Sequence, residues 1–371
     1  MINPQPCPAE VGFYMPAEFS PHDGTILIWP VRPGSWGLDP RPAQRAFADV
    51  IRAIAVHEQV ILIADEAHAD EARAAVGGLA DLCVFPTEDS WARDSGPTFV
   101  TDGQRVRGIS WRFNAWGGTF DGLYTHWEND DALAGRICDA LQLDCYDLGD
   151  FVLEGGSIHT DGEGTLLVTE ACLLSPGRNP ELTREQIEAR LKSALGVEKV
   201  LWLPRGIYND ETNEHVDNMC AFLAPGEVVL AWTDQVDDPQ YALSQQTFDY
   251  LSRVTDAKGR RLKIHKLPIP DHPITITAAD MHSYHFEPGE DARIVGERLA
   301  ASYVNFYFAN QCVIVPRFGG ENAASDERAL QLLTELCPDR QVIGIDARAI
   351  LLGGGNIHCI TQQIPKGGLS K

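Results

Sequence analysis

A cysteine that follows three consecutive glycines carries the clearest chemistry in this 371-residue chain, in the run Gly353-Gly354-Gly355-Asn356-Ile357-His358-Cys359. Glycine has no Cβ, so backbone and ligand can approach closely around the thiol, and a thiol that ionises is a nucleophile. A related run lies far upstream, Leu153-Glu154-Gly155-Gly156-Ser157-Ile158-His159, with threonine next where the first run has Cys359. The chain is therefore expected to be internally repeated, with one repeat holding the nucleophile.

Two further loops concentrate reactive side chains. One is Trp91-Ala92-Arg93-Asp94; the other, at 208–218, contains His215-Val216-Asp217. In an extended segment, alternate residues point to the same side, so His215 and Asp217 can act on one ligand. A thiol, an imidazole and a carboxylate also make a hydrolase triad, with Cys359 as nucleophile, His215 as base and Asp217 or Asp94 orienting it. Surplus carboxylates count against that reading. They suit a substrate that keeps a positive charge on binding, and a planar guanidinium fits this demand. A phosphate cradle at the glycines is disfavoured, because no basic residue follows them and the other loops are acidic.

Composition narrows the classes. A formal charge of −23 disfavours nucleic acid and anionic membranes and attracts cations, although solubility alone also accounts for it. The nine cysteines are dispersed, with no CxxC pair and no Cys/His spacing suited to zinc, so most are read as small buried hydrophobes. No basic, apolar leader opens the sequence and no apolar run reaches the length of a membrane span. The expectation is a soluble cytoplasmic protein of one domain, residues 1–371.

Elements must bring these loops together. Apolar residues three or four apart predict helices at 47–54 and 133–141, and Thr183 with Gln186 forms a capping box before another. Further helices are expected at 245–254, 291–302 and 325–336. Short β-rich runs at 60–63, 82–85, 200–203, 262–267 and 342–345 each lead into a polar stretch. Hairpins are expected at 98–108, 158–168, 219–232 and 303–316. With 25–29 pairing against 360–363, five α/β units would close into a ring and gather the polar loops at its axis.

Longer motifs then point to a family. Trp91-Ala92-Arg93-Asp94-Ser95-Gly96-Pro97, Glu154-Gly155-Gly156-Ser157-Ile158-His159, Asp210-Glu211-Thr212-Asn213-Glu214-His215-Val216-Asp217-Asn218 and the run 353–363 resemble the agmatine deiminase family. So do Phe113-Asn114-Ala115-Trp116-Gly117-Gly118 and Leu174-Ser175-Pro176-Gly177-Arg178-Asn179-Pro180. The resemblance covers nearly the whole chain. It implies the pentein fold of guanidine-modifying enzymes, a five-bladed α/β propeller with a pseudo-fivefold repeat and the active site on the central axis. It also implies hydrolysis of agmatine to N-carbamoylputrescine and ammonia through an amidino-thioether on Cys359, in putrescine biosynthesis or agmatine catabolism. His215 would be the general acid and base, and Asp94 and Asp217 the grip on the guanidinium.

By the same resemblance no metal or organic cofactor is expected, and analogy favours a homo-oligomer. Glu154 is counted among the substrate-binding residues, with Glu211 as partner for the substrate ammonium and Trp91 and Trp116 as walls for its aliphatic chain. The alternatives are a deiminase of free or peptidyl arginine and a catalytically silent binder of cationic amines. Glu214 departs from the family pattern, which more often has glycine there, so an ordinary backbone conformation is expected at this position.

Overall fold

The computed structural model describes residues 6–290 and 292–369, and in it one three-stranded pattern recurs along the chain. The first sheet contains the parallel strands β1 (His22–Ile28), β2 (Gln59–Ala64) and β3 (Asp81–Val84). The second contains β4 (Thr98–Thr101), β5 (Val106–Arg112) and β6 (Cys145–Val152), and the third β7 (His159–Thr160), β8 (Thr165–Thr169) and β9 (Lys199–Leu203). The fourth contains β10 (Cys220–Ala224), β11 (Glu227–Trp232) and β12 (Lys263–Pro268), and the fifth β13 (Tyr307–Ala309), β14 (Cys312–Arg317) and β15 (Gln341–Asp346). In sheets two to five, the first two strands form an antiparallel hairpin and the third joins the second in parallel.

The last strand, β16 (Gln362–Pro365), runs antiparallel to β1 and pairs Gln363 with Thr25 and Gln362 with Ile26. The first sheet is thus the same unit assembled from both ends of the chain, with β3 as an added edge. Middle strands such as β11 and β14 are almost wholly buried, which explains their unbroken apolar sequences. Three of the hairpins turn at Gly103, Gly162 and Gly226, whose positive φ angles of 85°, 71° and 77° glycine adopts without steric cost.

Crossover helices flank the sheets: α1 (Arg41–Ala55), α2 (Leu133–Ala140), α3 (Arg184–Leu195), α4 (Pro239–Leu251) and α5 (Ala323–Leu336). α1 buries Phe47, Val50, Ile51 and Ile54, the stripe its sequence predicts, and Thr183 caps α3 through Gln186. α4 starts earlier than its apolar pattern suggests, because Asp238 caps it and Pro239 takes its first position.

One expected helix is absent. Residues 292–302 are irregular, with an isolated bridge from Thr275 to Arg298, and residue 291 lies outside the described residues. Gly296 takes a φ of 88°, which no α-helix accommodates, and Ile294 and Val295 stand exposed instead of packing inward. This segment instead covers part of the cavity described below. Among the described residues, no helix is long and apolar enough to cross a membrane.

The repeat sets the position of the site. In each unit, the link from the parallel strand to the next hairpin brings a polar or reactive side chain to the site. Asp94 precedes β4, Glu154 precedes β7, Asp217 precedes β10, Asn305 precedes β13 and Cys359 precedes β16.

Candidate active site

Cys359 follows the one-turn helix Arg348–Leu351 and the glycines at 353–355. A Cβ on Gly355 would fall 3.1 Å from the Cys359 Sγ and 2.5 Å from the Trp91 ring, so a side chain at this position would collide with both. The Cys359 carbonyl accepts from the Arg93 N–H at 3.1 Å. Around the sulfur stand the Asn305 amide, with Nδ2 at 3.3 Å, and the Asp217 carboxylate, with Oδ2 at 3.6 Å. Burial, then the charges of Asp217 and Asp94, push the thiol well above its ordinary value.

His215 is fully buried, with Nδ1 3.8 Å from Asp94 Oδ2 and Nε2 3.6 Å from Glu154 Oε2. Burial alone would favour the neutral ring. Asp94, Cys172 and Glu154 outweigh it and raise the imidazole well above its ordinary range, which favours its protonated form. Asp94 accepts from the Trp116 indole N–H at 2.9 Å and from the Gly156 N–H at 2.8 Å. Its own pKa is raised, by burial first and by the nearby Asp217 and Glu154, against the opposing pull of His215. Glu154 is paired with the Arg178 guanidinium at 2.8 Å.

Trp116 reaches Asp94 through strain. Ala115 and Trp116 both adopt positive φ, 53° and 63°, a region that bulky residues rarely occupy. The backbone reversal turns the indole N–H onto the carboxylate. Trp116 therefore does more than wall the cavity, while Trp91 lines it as expected, stacked obliquely on Trp36.

Behind the sulfur runs a buried chain of charges that sequence reasoning did not find. His358 donates from one ring nitrogen to Asp217 at 2.8 Å and from the other to Glu18 at 2.7 Å, and Arg93 pairs with Glu18 at 3.1 Å. Although burial disfavours its charge, these carboxylates raise the His358 pKa and hold it as a cation, which in turn keeps Asp217 ionised despite its own burial. Asp217 Oδ1 has no hydrogen-bond partner among the described residues. Signals for these residues existed: His358 abuts the nucleophile, and Glu18 and Asn305 sit in motifs of unusual polarity for their apolar surroundings.

These groups meet beside a cavity of about 170 Å³ lined by Trp91, Asp94, Trp116, His215 and Cys359, with Asp217 and Glu154 just behind its wall. Further from the sulfur the lining includes Asp89, Glu211, Glu290 and Glu297, with Arg32 and Arg293. Glu211 does line the cavity, but both its oxygens are held by Arg293, at 2.7 and 2.9 Å, so it is already neutralised by a guanidinium of the chain itself. Arg32 is likewise paired with Glu290.

Glu214 overturns the expectation of an ordinary backbone. Its φ is 66°, and Asn213 before it has 60°. The side chain offsets the strain that glycine would avoid, because its carboxylate takes two bonds from Arg205 and one from the Gly206 N–H at 2.6 Å. Two clusters, Glu18 with His159 and His358, and Glu154 with Cys172 and His215, have donor types that suit a metal ion. In each an arginine already pairs with the carboxylate, Arg93 in one and Arg178 in the other.

Comparison with known proteins agrees with this geometry. The family model described as Porphyromonas-type peptidyl-arginine deiminase matches residues 14–365. A provisionally named agmatine deiminase of Selenomonas ruminantium is 59% identical over 363 residues, covering 96% of this chain and 97% of that protein. The structure of an Enterococcus faecalis agmatine deiminase superposes with a TM-score of 0.95 at 42% identity, covering 99% of both chains. A C. jejuni agmatine deiminase with substrate bound superposes with a TM-score of 0.81 at 27% identity, covering 96% of this chain and 97% of that one. The chain belongs to the Porphyromonas-type peptidyl-arginine deiminase family and, within it, groups with the agmatine deiminases.

Proposed function

We propose that this protein hydrolyses agmatine to N-carbamoylputrescine and ammonia, acting as a single-domain cytoplasmic enzyme. The observation that carries the reading is the meeting of a thiol, an imidazole and two buried aspartates beside one acidic cavity. A guanidinium carbon is a poor electrophile, because resonance spreads its charge. It needs a strong nucleophile held close and carboxylates that fix the planar fork. Asp94 and the unpartnered oxygen of Asp217 supply the grip.

The arriving cation offsets the two aspartates that keep Cys359 protonated, so as the substrate binds the thiol releases its proton to solvent and the resulting thiolate attacks. Attack gives a tetrahedral adduct. His215, charged at rest, protonates the departing nitrogen, and ammonia leaves an amidino-thioether on Cys359. Neutral His215 then takes a proton from water as it adds to that carbon; the C–S bond breaks, and the hydroxyl proton passes to the departing sulfur, releasing N-carbamoylputrescine and restoring the Cys359 thiol.

The outer cavity favours agmatine over arginine. An α-carboxylate would face Asp89 and Glu297, while Arg32 and Arg293 are already engaged by Glu290 and Glu211. The small volume of about 170 Å³ also suits a free amine better than a peptide. Ammonia release from agmatine, free arginine and a peptidyl-arginine analogue tests the reading, with Cys359→Ala as control. Turnover of agmatine alone, lost in the variant, is expected. Turnover of arginine would keep the chemistry and reject the specificity, and binding without turnover would make the protein an amine receptor.

A further inference from the structure

A second pair of thiols lies outside the cavity. Cys138 is in the last turn of α2 and Cys145 is the first residue of β6. The chain reverses between them, with the Leu143 N–H donating to the Cys138 carbonyl at 2.8 Å and Gln142 in the left-handed region at a φ of 57°. β6 then pairs with β5 so that Cys145 stands opposite Gly108. A Cβ on Gly108 would lie 2.2 Å from the Cys138 sulfur and 3.6 Å from the Cys145 sulfur, so the space of one missing side chain is what the two sulfurs share. Both are free thiols that meet in this space, and Cys145 Sγ donates to the Tyr146 carbonyl at 3.8 Å; Cys138 is buried and Cys145 half-buried.

We propose that Cys138 and Cys145 form an oxidant-reactive dithiol, a modification site separate from Cys359, which a hydroperoxide converts reversibly into an intramolecular disulfide.

The chemistry follows from the asymmetry of the pair. The neighbouring Cys138 thiol lowers the Cys145 thiol below its ordinary value while Cys138 itself is raised, so the more accessible sulfur is also the more acidic. The Cys145 thiolate attacks one peroxide oxygen, the O–O bond breaks, and the departing hydroxide takes a proton to become water. Cys145 is then a sulfenic acid. The Cys138 sulfur attacks the Cys145 sulfur, the S–O bond breaks, and the Cys138 proton leaves with the hydroxide as a second water. Two thiols are oxidised by two electrons and one peroxide is reduced. An external dithiol reverses the step by exchange. Cys359 differs from Cys145 on both counts, being more deeply buried and having its thiol pKa pushed up by burial and by Asp217 and Asp94.

The test treats the full chain with equimolar hydrogen peroxide, quenches it, alkylates under denaturing conditions and weighs fragments. The fragment containing both cysteines is expected to lose two hydrogen masses and its alkylation at both positions, to recover both with dithiothreitol, and to do so while Cys359 still alkylates fully. Cys138→Ser should leave Cys145 as a sulfenic acid that a dione traps, and Cys145→Ser should leave Cys138 reduced over the same period. Three results would each overturn the proposal: oxidation of Cys359 with the pair still reduced, Cys145 reaching sulfinic acid beside a free Cys138, or unchanged Cys138 oxidation in Cys145→Ser. Should Cys138→Ser fail to fold, the wild-type fragment and Cys145→Ser decide the question together.

Discussion

Replacing Gly156 by alanine tests whether the proposed catalytic groups work only at their present spacing. The Gly156 N–H holds Asp94, and an added methyl would lie 2.6 Å from His215 Nδ1, 2.8 Å from Asp94 Oδ1 and 3.0 Å from Asp217 Oδ2. Nonbonded heavy atoms are attracted best at about 3.5–4.0 Å, so all three groups must retreat by several tenths of an ångström. Gly156 does not use the left-handed region, so the change is steric and not a backbone conflict. A misplacement of about 1 Å at a reacting centre costs about 100-fold in rate, equivalent to about 2.7 kcal/mol of transition-state stabilisation. Overpacking costs about 1–3 kcal/mol of stability, which lowers Tm by several degrees without unfolding a chain of this size at 25 °C. The expected result is a folded protein whose kcat/KM for ammonia release falls about 100-fold. A variant within about threefold of wild type at unchanged Tm would refute the reasoning, because the three side chains would then have no need of their observed distances.

Trp116→Phe removes the indole donor from Asp94. A hydrogen bond to a charged group is worth about 1.5–3 kcal/mol, so kcat/KM should fall about 10- to 100-fold with KM raised, and an unchanged KM would count against a guanidinium grip by Asp94. Alkylation of Cys359 by iodoacetamide, read at that residue by mass, should be slow at pH 7 and rise only above about pH 9, since its folded pKa is raised. Rapid, pH-independent alkylation near neutrality would indicate a preformed thiolate and imidazolium pair instead. His358→Asn removes the cation between Asp217 and Glu18 and should cost about 3–5 kcal/mol, the usual price of breaking a buried ion pair. Because the folded pKa of His358 is raised, its stabilisation is complete below the ordinary histidine value and is lost as pH rises through the folded one. The Tm gap between wild type and variant should therefore be widest in mild acid and narrow in base, and a gap that widened in base would contradict a charged His358.

The strands, hairpins and closing pair were readable because each leaves a local trace: an apolar run, a turn glycine, a change of period. The loops bearing Cys359, His215, Asp94 and Asp217 were readable because their residue types are costly to bury without a purpose. What stayed hidden depends on distant contacts. Glu18 meets His358 across 340 positions, and no periodicity encodes that meeting. Glu211 was singled out for its charge, but its engagement by Arg293 arises from the irregular segment after Gly289, whose composition resembled a helix. Glu214 went astray for a related reason: the Arg205 and Gly206 contacts that tolerate its left-handed backbone are features of folded geometry.

The pairing of β16 with β1 bears on how the molecule is made. Synthesis delivers the Asp94, Glu154 and His215 loops long before Cys359, and the sulfur reaches them only when the final strand docks on the first. A chain that stops short of Cys359 carries the acidic loops without the sulfur that serves them. Synthesis of the segment that holds Cys359 and β16 is thereby the event that arms the site, and chemical competence becomes a report on the pairing of β16 with β1.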